Sequence, residues 1–237
     1  MVNADRCYVI CHMMSTIEGK IDSGVKGKDI LGDYYNLYSQ LEHELKPQAW
    51  MCGRVTSEMF AEAVDTFLPD TLKKIAKTDF KSSLTRGNYM IVVDTKGVLR
   101  WKSNVLTFED KSMHQLIIIV NETTPENYLA YLQEKDIAYI MAEHNKIDFL
   151  SLFEKLKKQY HVDMLALEGG GHLNGSVMAA NLIDEISLLL TPLVLNRSDA
   201  PSTFEHDQHE LNVRKYEIFE VKKVEDSVWL RYKKTSF

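Results

Sequence analysis

Residues 165–176 read Leu-Ala-Leu-Glu-Gly-Gly-Gly-His-Leu-Asn-Gly-Ser, an apolar run that ends in a carboxylate and three consecutive glycines. The pattern predicts a strand over 164–167, a turn at the glycines and a helix over 176–181. Glycines let a backbone approach a ligand closely, and the free amides of a helix N-terminus favour phosphate. The dinucleotide fingerprint G-x-G-x-x-G fails because Asn174 stands at its last position, and the phosphate-loop motif is absent. This stretch alone supports phosphate binding and a ligand-free tight turn about equally.

Glu168 lies at the carboxyl end of the predicted strand, where open α/β sheets place their ligands. Its carboxylate could orient a polar substrate, or it could cap the helix that follows. The local sequence leaves both interpretations open.

Strand and helix patterns alternate along the rest of the chain. Short apolar runs predict strands over 7–14, 49–52, 89–93, 116–120, 137–141 and 186–190. Apolar spacing of i, i+3 and i+4 predicts helices over 33–45, 128–134 and 150–160. Residues 213–221 and 228–232 alternate like an antiparallel hairpin at a sheet edge. This order indicates an α/β sandwich with a largely parallel sheet, and we expect one domain over residues 1–237, with 196–208 as its most loop-like stretch.

Composition narrows the class of protein. The 237 residues are 45% hydrophobic and 26% charged, which is typical of a globular chain. The net charge of −6 argues against nucleic-acid binding, and no apolar run approaches the length of a membrane span. Three cysteines cannot form a fully paired disulfide framework, and we expect Cys7 and Cys11 to be small core residues on one strand face. A cytoplasmic protein without nucleic-acid or membrane partners is predicted.

Two further stretches place polar groups after predicted strands. In Gly53-Arg54-Val55-Thr56, Arg54 could hold a phosphate bidentately and Thr56 could add a hydroxyl donor. Alternatively, Thr56 is a helix N-cap and Arg54 is a solvated surface residue. In the turn of residues 15–20, Lys20 could reach an anionic substrate or simply solvate the surface.

Other chemistry has little support. Residues 205–210 read Glu-His-Asp-Gln-His-Glu, but this polar segment without cysteines matches no standard zinc site, and no metal site is predicted. The chain contains no G-x-S-x-G elbow, so serine hydrolase chemistry is not supported.

In their order along the chain, these stretches resemble the reductase domain of riboflavin biosynthesis, the RibD C-terminal domain. Residues 14–21, Met-Ser-Thr-Ile-Glu-Gly-Lys-Ile, are similar to the S-L-D-G-K-I motif, with Glu18 in place of Asp. Residues 92–95 resemble the V-V-D-S turn, and residues 167–192 resemble E-G-G-G-x-L-N-G…L-V-D-E…A-P. Residues 228–232, Val-Trp-Leu-Arg-Tyr, are similar to the closing strand of single-domain relatives. The resemblance covers nearly the whole chain.

The resemblance implies a dihydrofolate reductase-like three-layer α/β/α sandwich with a C-terminal antiparallel hairpin. It implies an NADPH-dependent reductase, most like 5-amino-6-(5-phosphoribosylamino)uracil reductase, and a homodimer. Gly53-Arg54-Val55-Thr56 also looks like the G-R-x-T of dihydrofolate reductases, where Arg and Thr contact the NADPH phosphates. The implied catalytic residues are Glu168 and Lys20. The implied NADPH contacts are Ser15, Gly53, Arg54, Thr56, Thr95, Gly169, Gly170, Gly171, His172, Leu173 and Asn174.

The sequence also departs from the family pattern. Residues 60–69, Phe-Ala-Glu-Ala-Val-Asp-Thr-Phe-Leu-Pro, lack the arginine of the family's Asp-Asp-Pro…Leu-Thr-Val-Arg segment, which handles the ribosyl phosphate. The Trp-x-Leu-Pro segment of dihydrofolate reductases and the zinc motif of the deaminase are also missing. Two alternatives stay open: a non-catalytic NADPH-binding protein with a degenerate substrate site, and a dihydrofolate or pteridine reductase.

Overall fold

A computed structural model describes residues 5–25, 27–62, 68, 74–84, 87–108, 110–142, 146–207 and 213–235. The chain forms two compact units: unit 1 contains residues 1–47 and 163–237, and unit 2 contains residues 48–162. The strands are β1 Tyr8–Ser15, β2 Ala49–Gly53, β3 Tyr89–Val93, β4 Val105–Thr107, β5 Met113–Asn121, β6 Ala138–Ala142, β7 Met164–Leu167, β8 Glu185–Leu190, β9 Tyr216–Val224 and β10 Ser227–Lys234. The helices are α1 Tyr35–Leu45, α2 Arg54–Ser57, α3 Glu126–Glu134, α4 Phe149–Tyr160 and α5 Gly171–Ala179. We keep the single-domain organisation as a proposal.

The strands of unit 1 follow the order β7-β1-β8-β10-β9. β1 pairs in parallel with β7 and β8, so that Cys11 lies opposite both Leu167 and Ile186. β10 runs antiparallel to β8 and to β9, which confirms the predicted hairpin. α1 contributes Leu41 and Leu45 to a buried apolar cluster with residues of β1, β8 and β10. This packing fixes α1 against one face of the unit 1 strands.

In unit 2, β2, β3, β5 and β6 pair in parallel in that order. Residues 116–120 of β5 are fully buried, because parallel strands are covered on both faces. β4, which the sequence did not predict, pairs antiparallel with the first part of β5. The mostly parallel strands confirm the predicted α/β class.

α5 begins at Gly171, earlier than the predicted start at Ser176. The glycines that the local pattern assigns to a turn lie inside the helix, where they are packed against another segment. A Cβ atom at Gly171 would lie 2.3 Å from the carbonyl oxygen of Ser202. A Cβ atom at Gly175 would lie 1.8 Å from the carbonyl oxygen of Glu205. These two glycines therefore let the 202–205 segment lie directly on α5.

In unit 1, ion pairs join residues that lie far apart in the sequence. The guanidinium of Arg6 donates two 2.7 Å hydrogen bonds to the buried carboxylate of Asp184. Arg231 on β10 donates from Nε to Glu185 at 2.7 Å. The acidic pair of the L-V-D-E-like stretch is thus held by arginines of unit 1.

Cys7 and Cys11 are buried and form no disulfide bond, which confirms the prediction that they are small core residues. Cys52 is also buried and outside any disulfide bond. Among the described residues, no helix combines the length and the apolar character that a membrane span requires.

Candidate active site

The turn after β1 is held by its own polar groups. Ser15 is fully buried and its hydroxyl donates to the carbonyl of Thr16 at 3.1 Å. The backbone N–H of Lys20 donates to the Thr16 hydroxyl at 3.0 Å, and Gly19 adopts a φ of +82° that favours glycine. The turn therefore presents the Lys20 side chain from a fixed backbone.

Lys20 is oriented by the segment near residue 200. Its ammonium donates to the carbonyl oxygen of Ala200 at 2.7 Å and to that of Ser198 at 3.4 Å. Glu18, which replaces the family's Asp, accepts from the backbone N–H of Leu195 at 2.5 Å and of Asn196 at 2.8 Å. A lysine ammonium has three donors, so Lys20 keeps one direction for an anionic or carbonyl ligand.

The glycine turn before α5 has room for a ligand at one position. A Cβ atom at Gly170 would meet no protein atom within 4 Å, in contrast to Gly171 and Gly175. The backbone amides of Leu173 and Asn174 donate to the carbonyl of Gly170, and the amides at the start of a helix have no intrahelical acceptor. An open glycine at such a start fits a phosphate group of NADPH.

The next three residues of α5 differ in access. The side chain of His172 is 70% exposed, and its Nε2 lies 3.5 Å from Oε2 of Glu205. Leu173 is half-buried. Asn174 is fully buried, and its Nδ2 donates to the carbonyl of Thr203 at 3.0 Å. His172 is thus accessible to a ligand, while the Asn174 amide holds the segment that covers α5.

In unit 2, Gly53 and Arg54 begin α2 without a side-chain cap, so Thr56 lies inside the helix and is not its N-cap. Nη1 of Arg54 lies 2.5 Å from Oε1 of Glu58, one helical turn away. A Cβ atom at Gly53 would meet no protein atom within 4 Å. The Arg54 guanidinium can therefore bind a phosphate, and Glu58 would compete with that phosphate for it.

Thr95 follows β3 in a turn that is organised by the buried carboxylate of Asp94. That carboxylate accepts from the backbone amides of Gly97 at 3.0 Å, Val98 at 2.9 Å and Leu99 at 2.9 Å. The carbonyl of Thr95 accepts from the Thr124 hydroxyl at 2.8 Å. Asp94 thus shapes the V-V-D-S-like turn, in which Thr95 is half-buried.

Glu168 occupies an environment that penalises its charge. Its Oε1 is buried and has no hydrogen-bond partner among the described residues. Burial raises the pKa of Glu168 well above its usual range, the carboxylate of Glu42 raises it further, and the Tyr38 hydroxyl acts in the opposite direction. Burial of this kind favours the protonated carboxyl, which is the form in which Glu168 can donate a hydrogen bond.

Sequence reasoning missed the residues around Glu168. Tyr38 was counted only as part of the apolar face of its helix, and His12 as part of an apolar strand. In unit 1 the two rings stack, with centroids 4.2 Å apart and planes inclined by 12°. The only local sign of a site at His12 and Tyr38 was that both side chains carry polar atoms, which the apolar periodicity does not take into account.

No group of three or more His, Cys, Asp or Glu residues that could bind a metal is present in the described part of the chain. Of the segment 205–210, residues 208–210 lie outside the described residues. The same is true of residues 63–67 and 69 in the segment that lacks the family's arginine.

Comparisons with known proteins connect these stretches to one family. The RibD C-terminal domain family matches residues 7–224. The 2,5-diamino-6-ribosylamino-4(3H)-pyrimidinone 5′-phosphate reductase of Methanothermobacter thermautotrophicus is 24% identical over 195 residues, which are 82% of this chain and 82% of that protein.

Solved structures show the same fold. A pyrimidine reductase-like protein from Corynebacterium diphtheriae superposes with a TM-score of 0.67 at 14% identity, over 98% of this chain and 92% of the other. RibD of Acinetobacter baumannii superposes with a TM-score of 0.65 at 17% identity, over 98% of this chain and 59% of RibD. This chain therefore spans little more than half of RibD, and the likeness confirms the predicted dihydrofolate reductase-like fold. Because the family match covers nearly all of the described elements, the chain belongs to the RibD C-terminal domain family.

Proposed function

We propose that this protein is an NADPH-dependent reductase of a ribosylaminopyrimidine 5′-phosphate, acting in riboflavin biosynthesis. Membership of the RibD family makes the chain an oxidoreductase, and NADPH is the cofactor of that family. The observation that carries the proposal is local to unit 1. The buried Glu168 carboxyl follows β7 directly, and the open Gly170 at the start of α5 comes two residues later.

The residues of each unit have distinct proposed roles. In unit 1 we assign NADPH contacts to Ser15 and to the loop 169–174, in which Gly170 is open and His172 is exposed. In unit 2 we assign NADPH contacts to Gly53, Arg54, Thr56 and Thr95. Bound NADPH supplies the hydride, and the protein supplies position and electrostatics.

Glu168 and Lys20 are the proposed catalytic residues. Lys20 is held by backbone carbonyls, so its ammonium can neutralise a substrate oxygen without a large loss of side-chain freedom. Glu168 can donate a hydrogen bond to the substrate and hold the acceptor carbon in line for hydride transfer.

Two related compounds are candidates for the substrate. The curated relative is named for a 2,5-diamino-6-ribosylamino-4(3H)-pyrimidinone 5′-phosphate. A solved relative from Thermotoga maritima is named for a deaminase joined to a 5-amino-6-(5-phosphoribosylamino)uracil reductase. The first compound is our proposed substrate, because the curated relative matches 82% of each chain.

The test is NADPH oxidation, followed at equal concentrations of the two pyrimidine phosphates and of dihydrofolate. We expect turnover with a ribosylaminopyrimidine phosphate and none with dihydrofolate. A Glu168→Gln variant that keeps its fold and its NADPH affinity should lose turnover by about 10²-fold, as expected for a positioned acid–base group. Tight NADPH binding without turnover on any of the three compounds would instead identify a non-catalytic NADPH-binding protein.

We also propose a cytoplasmic homodimer without nucleic-acid or membrane partners. The three buried cysteines form no disulfide bond, which is compatible with a reducing compartment, and the net charge of −6 disfavours nucleic acid. Symmetric dimers are the commonest assemblies of oligomeric soluble proteins.

A further inference from the structure

The turn that carries Lys20 is joined to a segment formed by residues 193–205. The backbone N–H of Thr203 donates to the carbonyl of Gly19 at 3.2 Å, and Lys20 lies opposite Ser202 in an antiparallel bridge. The ammonium of Lys20 donates to two carbonyl oxygens of the same segment. Both the backbone and the side chain of Lys20 are therefore held by the 193–205 segment.

The last residues of the 193–205 segment lie directly on the first turn of α5. A Cβ atom at Gly171 would overlap the carbonyl oxygen of Ser202, and the backbone N–H of Glu205 donates to the carbonyl of Gly171 at 2.9 Å. Close-packed contacts transmit small displacements, because they leave no space that could absorb them. A shift of the first turn of α5 must therefore move the 193–205 segment.

Thr203 connects the turn and the helix through its own backbone groups. Its N–H bonds to Gly19 in the turn, and its carbonyl accepts from Nδ2 of Asn174 on α5 at 3.0 Å. Asn174 is fully buried, and its Oδ1 has no hydrogen-bond partner among the described residues, so the bond to Thr203 is what orients this side chain. The path from Asn174 through Thr203 to Gly19 thus joins the start of α5 to the residue before Lys20.

Glu18 anchors the first residues of the same segment. Its Oε1 accepts from the backbone amides of Leu195 at 2.5 Å and of Asn196 at 2.8 Å. Asn196 has a φ of +57°, in the left-handed region that asparagine adopts more readily than most residues. Glu18 is exposed, where a charged side chain contributes little to global stability. Loss of the Glu18 carboxylate should therefore loosen the 193–205 segment without unfolding the protein.

We propose that Glu18 and Asn174 are positioning residues that act through the 193–205 segment and hold the Lys20 ammonium in a fixed place relative to the glycine turn. NADPH bound at the glycine turn then stabilises the arrangement in which Lys20 contacts an anionic or carbonyl oxygen of the pyrimidine phosphate. The two ligands bind cooperatively, and by linkage each raises the affinity for the other by the same factor. This inference rests on the proposed function, which assigns NADPH to the glycine turn and the substrate to Lys20.

The kinetic test uses variants of the exposed anchor. In Glu18→Ala the KM for the pyrimidine phosphate should rise about tenfold while kcat stays within about threefold, because Lys20 contacts the bound substrate and the transition state alike. Glu18→Gln keeps an oxygen that can accept from both amides, so its KM should stay within about threefold of wild type. Val194→Ala is the control, because that side chain belongs to the same segment and is 65% exposed, and it should leave KM unchanged. An unchanged KM in Glu18→Ala, or an equal rise in both Glu18 variants, would contradict the proposed hydrogen-bonding role.

A second measurement needs no turnover and uses NADP⁺ as the probe. Amide hydrogen exchange followed by NMR should become slower at Ile21 and Thr203 when NADP⁺ saturates the wild-type protein, because their hydrogen bonds join the turn to the 193–205 segment. In Asn174→Ala this slowing should be lost at both amides, whereas the amide of Leu173 beside the glycine turn should still respond to NADP⁺.

The outcomes separate this inference from the proposed function. If Ile21 and Thr203 respond as expected but no pyrimidine phosphate is reduced, the proposed function is wrong while the coupling stands. If turnover is present and NADP⁺ leaves both amides unchanged in wild type, or slows them equally in Asn174→Ala, our inference is wrong. A failure of NADP⁺ to bind would overturn both. Circular dichroism melting curves identify a variant that has lost its fold, and if Asn174→Ala has done so, the wild-type exchange rates and the Glu18 variants decide.

Discussion

At the scale of single residues, Arg54 and Glu58 lie one helical turn apart and form an ion pair. The free energy of this ion pair is what Arg54 would lose on binding a phosphate. The two side chains are partly exposed, where an ion pair contributes about 0–1 kcal/mol. A charge-assisted bond to a phosphate is stronger, at about 1.5–3 kcal/mol. We therefore expect the exchange of Glu58 for a 2′-phosphate as the partner of Arg54 to be favourable.

The first prediction concerns cofactor choice. Arg54→Ala should weaken NADPH binding by roughly ten- to hundredfold and leave NADH binding nearly unchanged, because only NADPH carries the 2′-phosphate. Glu58→Gln should tighten NADPH binding, since it frees the guanidinium. Calorimetric titration of both cofactors into the three proteins measures these effects, and equal losses for NADPH and NADH would show that Arg54 does not recognise the 2′-phosphate.

The second prediction concerns stability in acid. Burial lowers the pKa of folded His12 to about 4, whereas an unfolded histidine takes up a proton below about 6.5. Protonation then favours the unfolded chain, so the free energy of unfolding should fall between pH 6.5 and 4, by about 3 kcal/mol from this residue. Urea unfolding at a series of pH values measures the slope.

The control for this prediction is a variant that lacks the buried imidazole. His12→Gln should flatten the acid limb of the stability curve, because glutamine takes up no proton in this pH range. Imidazole resonances followed by NMR provide a direct check in wild type. A His12 ring that titrates near pH 6.5 would contradict the predicted burial effect.

Residue-level reasoning from sequence succeeded where the signal is local. Cys7 and Cys11 lie four residues apart in an apolar segment that predicts a strand, and both are buried. The sequence pattern did not reveal the contact between His12 and Tyr38, because their hydrogen bonds join residues 26 positions apart. The pairing of β1 with β7, the strand that Glu168 follows, depends on a register that no local pattern specifies.

At the scale of secondary-structure elements, α5 shows why the start of a helix can be mistaken. Glycine has low helix propensity, which favours a turn through residue 175 when only the local sequence is considered. In the structure, Gly171 and Gly175 are helical because a segment distant in sequence contacts their Cα atoms. The strands, by contrast, were located well from sequence, since residues 89–93 and 164–167 were predicted with the observed bounds.

The third prediction separates the two roles of the glycines. Gly175→Ala should destabilise the protein by about 1–3 kcal/mol although alanine is the better helix former, because its Cβ atom would overlap the Glu205 carbonyl. Gly170→Ala should change stability by less than about 0.5 kcal/mol, since its Cβ atom meets open space, yet it should weaken NADPH binding. Thermal melting with and without NADPH tests both variants, and unchanged NADPH affinity in Gly170→Ala would exclude a phosphate at that glycine.

At the scale of the whole molecule, the alternation of strands and helices was enough to predict the α/β class. The parallel pairing of β1 with β7 and β8, and of β2, β3, β5 and β6, follows from helical crossovers that the sequence pattern displays. The short β4 was missed because a three-residue strand carries too little periodicity. Residues far apart in sequence, such as Arg6 and Asp184, reveal their pairing only in the folded chain.

The fourth prediction is the homodimer. β9 pairs with β10 alone among the described strands and exposes Ile218, Phe219 and Val221, the last at 63%. An open strand edge with exposed apolar side chains is a surface that natural proteins usually cover. Light scattering at micromolar concentration should return about twice the chain mass of 27.3 kDa. The melting temperature should rise with protein concentration, since association stabilises the folded chain by mass action. A mass near that of one chain, with a melting temperature independent of concentration, would show that the protein is a monomer and that its β9 edge faces solvent.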